Sequence, residues 1–345
     1  MTKAIEVERL VKRYTSFLRK GLFRREKIVV EALKGISFDV DYGEVFGLLG
    51  PNGAGKTTTV KILSTLLIPD EGKAKVAGFD VVKSPSMVRR HIGVTLTVEK
   101  GFFWKLTGRE NLSYFGMLRG LKGLQLRRRV DELMKMLGLN KLEASDKFYE
   151  EYSLGMRARL SLARALLTDP PILILDEPTL GLDPPSARYI RELLLKFAKE
   201  DGKAILLTTH NMFEAEAICD RVAIIDEGRI IALGTVQELK KMVARRVVIN
   251  ITASSPSIEL RLLETKLMET ITGEISLRLD EQGRLRVRVV SRIGEEELHL
   301  SEVVKLLSSL GVRVNRVELE EPSLEDVFIT LTYRREGVDR LDRRI

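Results

Sequence analysis

The stretch Gly50-Pro51-Asn52-Gly53-Ala54-Gly55-Lys56-Thr57-Thr58 limits the possible folds more than any other part of this chain. It follows a short apolar run, Val45–Leu49, and opens a helical pattern running from Lys56 to about Leu67. Strand, glycine loop and helix therefore come in the order that makes G-x-x-x-x-G-K-[ST] informative. Glycines let the backbone curl until successive N–H groups face one group of phosphate oxygens, and the helix N-terminus adds its partial positive charge. Lys56 then offers a point charge to β- and γ-phosphates, and Thr57 a hydroxyl to Mg²⁺.

The rest of the core repeats the strand-then-helix order. Ile172–Leu175, Ala204–Thr208 and Val222–Ile225 are short apolar strands separated by helical stretches. From about residue 86 to 164 the pattern is mostly helical, which marks an inserted subdomain. Before it, residues 5–11 and 28–40 alternate as strands do, and Lys73–Val82 reads as a hairpin after the turn Pro69-Asp70-Glu71-Gly72. The fold class is α/β: a P-loop NTPase core with an antiparallel β subdomain and a helical insert.

Two buried strands deliver reactive groups. Ile172–Leu175 ends in Asp176 and Glu177. Asp176 is placed to hold Mg²⁺ through water, and Glu177, pointing elsewhere, to polarise an attacking water as general base. Leu206–Thr209 ends in His210, placed for a γ-phosphate contact. Tyr152-Ser153-Leu154-Gly155-Met156 precedes an amphipathic helix, so Ser153 and Gly155 make a second candidate anion site.

At 345 residues the chain suits two domains, and its texture changes near residue 244. Residues 1–244 carry all the motifs above. In residues 245–345, Arg246–Thr252, Ile258–Ile271, Ile275–Leu279, Leu285–Val290, Glu295–Leu310 and Val312–Leu319 read as βαββαβ, an α+β ferredoxin-like arrangement. A last helix, Ser323–Leu331, has Ser323 as N-cap and Asp326 three residues on.

Composition narrows the setting. Apolar runs such as Ile172–Leu175 fall far short of the ~20 residues that cross a bilayer, so a membrane role requires spanning helices from another chain. The single cysteine, Cys219, excludes an internal disulfide and, beside Ala217 and Ile218, reads as a buried structural thiol in a reducing cytosol. Net charge is +8, and the first thirty residues hold nine Lys/Arg against three Glu. The cluster Arg19, Lys20, Arg24, Arg25 and Lys27 flanks Gly21 between strand-like runs, as a solvated hairpin tip or loop would.

Taken together, these motifs resemble the nucleotide-binding subunits of ABC transporters over about residues 4–235. Lys56 and its loop are similar to the Walker A motif, and Asp176 with Glu177 to the Walker B motif and catalytic glutamate. Gly181-Leu182-Asp183 is similar to the D-loop, and His210 to the switch histidine. Tyr14 stands where the family stacks an aromatic on adenine, with a buried strand tyrosine as the alternative. Ser153 and Gly155 resemble the signature motif, although Leu154 and Met156 replace its usual glycine and glutamine. The resemblance implies ATP and Mg²⁺ as ligands, and a homodimer in which each Ser153 region faces ATP held by the other copy.

One family feature is missing. After Ile92-Gly-Val-Thr-Leu the family places a glutamine, whereas this chain reads Thr97-Val-Glu99-Lys-Gly-Phe-Phe-Trp104. Glu99 is the candidate for nucleotide and metal-water contact there, with Thr97 the alternative. Phe102, Phe103 and Trp104 stand where the family docks its transmembrane partner, or pack in the helical insert. Leu106-Thr-Gly-Arg-Glu-Asn111 and Pro322-Ser-Leu-Glu-Asp-Val-Phe328 are similar to ATPase subunits of drug, polysaccharide and sodium exporters with a separate permease chain. That implies a peripheral place on the cytoplasmic face of the cell membrane. It also implies an accessory C-terminal domain for dimerisation, regulation or small-ligand sensing.

The competing expectation is a soluble ABC ATPase acting on nucleic acid or ribosomes. It is disfavoured because this chain has one ATPase cassette and no long coiled-coil insertion, so no nucleic-acid partner is expected. A P-loop kinase or GTPase does not account for Ser153, Asp183 and His210 together, and no N-K-x-D guanine-reading motif is present.

Overall fold

The computed structural model describes residues 3–20, 24–96, 101–142, 147–243, 246–254, 260–270, 274–280, 282–292, 294–320 and 322–335. They divide into two compact units, Met1–Val236 and Gln237–Ile345. The division falls at the first residue of a helix, where the sequence shows no change of texture until residue 244.

The first unit opens with β1 (Lys3–Lys20), β2 (Arg24–Asp41), β3 (Val45–Leu49) and α1 (Lys56–Leu63). It continues through β4 (Glu71–Val76), β5 (Phe79–Asp80), α2 (Pro85–His91) and β6 (Ile92–Thr95). The helical insert holds α3 (Gly108–Leu118), α4 (Gly123–Met136) and α5 (Leu154–Ala165). Then come β7 (Ile172–Asp176), α6 (Pro184–Lys199), β8 (Ala204–Thr209), α7 (Met212–Ile218), β9 (Arg221–Asp226) and β10 (Arg229–Thr235); α8 (Val236–Val243) begins at the division, and all but its first residue belongs to the second unit.

Six strands form the central sheet in the order β10-β9-β3-β8-β7-β6. All neighbours are parallel except the edge pair β10–β9. Every residue of β3, β7 and β8 is buried, as the unbroken apolar runs in the sequence require of strands covered on both faces. A second, antiparallel sheet runs β2-β1-β4-β5. One core joins Ile5, Leu10, Leu33 and Val76 of this sheet to Leu48, Ile174 and Leu206 of the central sheet, with Val60, Ile62 and Leu63 of α1 between them. The phosphate-loop helix is thus wedged between two sheets.

Two expectations change here. α1 stops at Leu63, not Leu67: Thr65 takes φ +62°, and the N–H groups of Ser64 and Leu66 close back on the carbonyls of Val60 and Lys61. The first hairpin is longer than residues 5–11 and 28–40, pairing as far as Arg19 with Arg25 and Lys20 with Arg24. The basic cluster therefore sits at the end of a two-stranded ribbon that β4 supports only to Val11; Gly21 lies outside the described residues.

In the helical insert, Thr107 and Glu110 cap α3 reciprocally, the hydroxyl accepting from Glu110 N and the carboxylate from Thr107 N at 2.8 Å. Asn111, fully buried, pins the preceding segment. Its Oδ1 accepts from Phe103 N at 2.8 Å, and its Nδ2 donates to the carbonyls of Phe103, Leu106 and Thr107 at 3.0–3.2 Å. The three aromatic rings before it part company. Phe102 is buried, stacked on Tyr149 at 4.9 Å with the Arg164 guanidinium 4.4 Å from its ring centre. Phe103 and Trp104 stay about half exposed, at 45% and 53%.

The second unit contains β11 (Arg246–Ala253), α9 (Leu260–Thr270), β12 (Glu274–Leu279), β13 (Leu285–Arg292), α10 (Glu296–Ser309), β14 (Val314–Glu320) and α11 (Leu324–Arg335). Its antiparallel sheet runs β12-β13-β11-β14, the ferredoxin-like order for βαββαβ. Ile249, Ile251, Val287 and Val289 pack with Leu263, Leu267, Val303 and Leu307 of α9 and α10. Ser323 and Asp326 make the expected reciprocal cap before α11, with Ser323 N on Asp326 Oδ2 at 2.8 Å and Asp326 N on Ser323 Oγ at 3.2 Å.

Candidate active site

β3 delivers the phosphate loop at its C-terminal end. Gly50 has no room for a side chain, since a β-carbon there would lie 2.1 Å from the Ile225 carbonyl oxygen. Gly53 and Gly55 take φ of +84° and +114°, conformations open mainly to glycine. Gly55 is also the N-cap of α1 and, having no side chain, leaves the helix's first amides uncapped and available to an anion. Pro51, Asn52 and Gly53 are exposed, whereas Ala54 and Gly55 are buried, with Ala54 O accepting from Gly228 N at 3.0 Å. The Lys56 ammonium, only 6% exposed, donates to the carbonyls of Gly50 at 2.6 Å and Pro51 at 3.2 Å.

The two neighbouring strands end beside it. Asp176 closes β7; its Oδ2 accepts from Thr57 Oγ1 at 2.9 Å and its Oδ1 from Thr208 Oγ1 at 2.5 Å. A carboxylate and a hydroxyl so close together are the hard oxygen donors that Mg²⁺ prefers. Among the described residues no cluster of three or more His, Cys, Asp or Glu is placed to hold a metal, so such an ion would draw further oxygens from nucleotide and water.

Glu177 sits at φ +50°, its N–H held by the Thr208 carbonyl at 3.1 Å and hydroxyl at 3.2 Å. The turn brings its carboxylate within 3.6 Å of Lys56 Nζ and 3.0 Å of His210 Nδ1. A carboxylate only accepts, so Nδ1 carries the hydrogen in this contact. Lys56, Thr57, Asp176, Glu177 and His210 therefore form one group at the carboxyl ends of β3, β7 and β8, where open α/β sheets bind ligands.

The remaining candidates lie at three other places. Tyr14 is 40% exposed, with its hydroxyl 3.4 Å from Thr58 Oγ1; it is a surface ring beside the loop, not a buried strand tyrosine. Ser153 is the N-cap of α5, its Oγ accepting from Met156 N at 3.3 Å. Asp183 caps α6 by accepting from Ser186 N at 2.9 Å, which holds its carboxyl below the ordinary range. Gly155 lies against Ser186 and Asp183, where a β-carbon would meet Ser186 Oγ at 2.6 Å. No hydrogen bond among the described residues links Ser153, Gly155 or Asp183 to the Lys56 group. Thr97 and Glu99 lie outside the described residues.

Thr208 escaped the sequence reading, yet it touches both Asp176 and Glu177. The available signal was a Thr-Thr pair ending an otherwise aliphatic strand, two residues before His210. Cys219 is buried, and loss of solvent pushes its thiol well above the ordinary value of 9.0.

Comparison with known proteins bears on the family. Residues 33–180 match the ABC transporter family, and residues 234–332 the C-terminal domain of DrrA1-3-like ATP-binding proteins. The chain is 37% identical over 342 residues to the daunorubicin/doxorubicin resistance ATP-binding protein DrrA of Streptomyces peucetius, covering 96% of this chain and 93% of that protein. It is 39% identical over 318 residues to the doxorubicin resistance ATP-binding protein DrrA of Mycobacterium tuberculosis, covering 90% of each. A solved dimeric ATP-binding cassette in a post-hydrolysis state, bound to ADP and Pi, superposes with a TM-score of 0.59 at 25% identity, covering 67% of this chain and 98% of that one.

Proposed function

The chain belongs to the family of ABC transporter ATP-binding subunits and hydrolyses ATP, and from that premise we propose that it powers an efflux system whose permease is a separate chain. The observation that carries the reading is the meeting of Lys56, Thr57, Asp176, Glu177 and His210 at the ends of three adjacent strands. Relatives spanning nearly the whole chain are named for resistance to daunorubicin and doxorubicin, which favours drugs of that kind as cargo. Among the described residues no helix is long and apolar enough to cross a membrane, so the subunit would act at the cytoplasmic face through its permease.

The chemistry follows from the group. ATP places its β- and γ-phosphates against the open N-terminus of α1, and the Lys56 ammonium turns from the Gly50 and Pro51 carbonyls to the phosphate oxygens. Tyr14 stacks on the base. Mg²⁺, held by Thr57 and through water by Asp176, would neutralise charge on the phosphate oxygens. Glu177 takes a proton from water as the new oxygen–phosphorus bond forms and the bond to the ADP oxygen breaks. His210, oriented through Nδ1 by Glu177, leaves Nε2 for the γ-phosphate. Ser153, Gly155 and Asp183, which stand apart from this group, serve a second copy: two chains sandwich two ATP molecules head to tail. The half-exposed Phe103 and Trp104 give the permease a docking surface.

Glu177→Gln tests the assignment. It should lower turnover by about a hundredfold or more and leave a dimer trapped with ATP, seen as doubled mass in size-exclusion chromatography with light scattering. Unchanged turnover with no trapped dimer removes Glu177 from the role. Co-purification of a polytopic membrane chain with the tagged subunit checks the permease.

A further inference from the structure

Behind the His210–Glu177 contact lies a second polar link that the chemistry above does not use. Glu214, in the first turn of α7, is 1% exposed. Thr179, two residues past Glu177, donates its hydroxyl to Glu214 Oε1 at 2.5 Å. The Glu214 backbone N–H donates to Asn211 Oδ1 at 3.2 Å, and the Thr209 side chain also reaches the carboxyl. Burial pushes this carboxyl above its ordinary value, against the opposing pull of the two hydroxyls and Arg191. Holding a carboxyl in such a place is unfavourable, and an apolar residue would fill the space at less cost.

The link joins the two segments that carry the hydrolytic pair. His210 directly follows β8 and α7 begins at Met212, so Glu214 moves with His210. β7 ends at Asp176, so Thr179 moves with Glu177. Glu177 is also a residue with a β-carbon held at φ +50°. A left-handed backbone of that kind persists only where its surroundings over-determine it. Thr208 holds the segment at its start, through Glu177 N. The Thr179–Glu214 bond holds it two residues later, and both anchors belong to the β8–α7 element.

We propose that Glu214 is a positioning residue for ATP hydrolysis, forming with Thr179 a buried strut that keeps the Glu177 carboxylate in register with His210. The proposal rests on the reading of Glu177 and His210 as the hydrolytic pair. Thr179→Val keeps shape and removes the donor, Glu214→Ala removes the acceptor, and Glu214→Gln keeps an acceptor oxygen. Steady-state ATPase assays and binding of a fluorescent ATP analogue are measured for these variants, for the Thr179→Val/Glu214→Ala pair and for Glu177→Gln.

The expected result is a fall in kcat of about ten- to a hundredfold for Thr179→Val and Glu214→Ala, with nucleotide affinity held within about twofold. The pair should be no worse than Glu214→Ala alone, and Glu214→Gln should recover most of the rate. If Thr179→Val keeps full kcat while Glu177→Gln loses it, the strut is wrong and the hydrolytic pair stands. An equal loss of kcat and affinity in every variant also overturns the strut, because it marks a general packing defect. Normal turnover by Glu177→Gln overturns the premise and the proposal with it. Should Glu214→Ala fail to fold, Thr179→Val and Glu214→Gln decide alone.

Discussion

Replacing Asn111 with leucine should loosen the aromatic segment ahead of α3 while leaving most of the chain unchanged. The size of the effect follows from which partners survive the change. Phe103 O still accepts from Leu106 N at 3.2 Å, Leu106 O from Tyr149 N at 2.9 Å, and Thr107 O from the backbone N of residue 111 at 2.9 Å. The carbonyls therefore lose a second bond each and none is orphaned. Phe103 N–H is different, because Asn111 Oδ1 is the acceptor recorded for it. Orphaning this part-buried amide costs about 1–2 kcal/mol, and each lost bond from Nδ2 adds about 1 kcal/mol or less. The sum is about 3 kcal/mol, equivalent to roughly a hundredfold faster exchange of the Phe103 amide where that amide opens locally. Asn111→Asp keeps the acceptor but turns an oxygen toward three carbonyls, so it should be as damaging. Hydrogen–deuterium exchange read at residues 101–107, with guanidinium denaturation alongside, measures both. If protection at Phe103 changes less than about threefold in Asn111→Leu, Asn111 does not pin the segment.

Gly50→Ala forces a β-carbon to 2.1 Å from Ile225 O and should cost about 3 kcal/mol or more, or abolish nucleotide binding; wild-type affinity in a calorimetric titration contradicts this. Asp169 is pushed up by burial, but its hydrogen bond to Lys203 and the charges of Lys203 and Arg129 prevail and hold its carboxyl below 3.8. A depressed carboxyl stabilises the fold above 3.8, and that contribution fades as pH falls through the folded-state value. Denaturation at pH 3 and pH 6 should therefore differ less for Asp169→Asn than for the parent; because the side chain is 65% exposed, the difference should stay below about 1 kcal/mol. Cys219 should resist a neutral disulfide reagent in the native protein and react once guanidinium unfolds it; rapid native labelling contradicts its burial.

The central sheet was legible in the sequence because parallel strands covered on both faces need unbroken apolar runs, and Ile172–Leu175 and Ala204–Thr208 are such runs. The phosphate loop was legible because its conformation depends on local glycines. The C-terminal βαββαβ order was visible from period alone, since each element is short and bounded by polar turns. What escaped were contacts between residues distant in the chain. Thr208 meets Asp176 and Thr179 meets Glu214 only after β7 and β8 pair, and no local pattern marks either contact. Phe102, Phe103 and Trp104 could not be divided into core and surface, because Asn111 and Tyr149 decide which ring turns inward. The end of α1 was overrun because a threonine takes the left-handed position where glycine would have announced a stop. The long first hairpin was truncated because its outer residues are basic on both strands and break the alternation.

The attacking water, the phosphates and the proton acceptor must be aligned to within a fraction of an ångström, and here the alignment is borrowed from the ladder joining β3, β8 and β7. Gly47 faces Leu207 and Leu175 faces Leu207, so one backbone rung indexes two sides of the site at once. A slip of a single residue would turn the alternate side chains to the opposite face of the sheet. A copy that closed this sheet out of register would therefore lose both sides of the site at once.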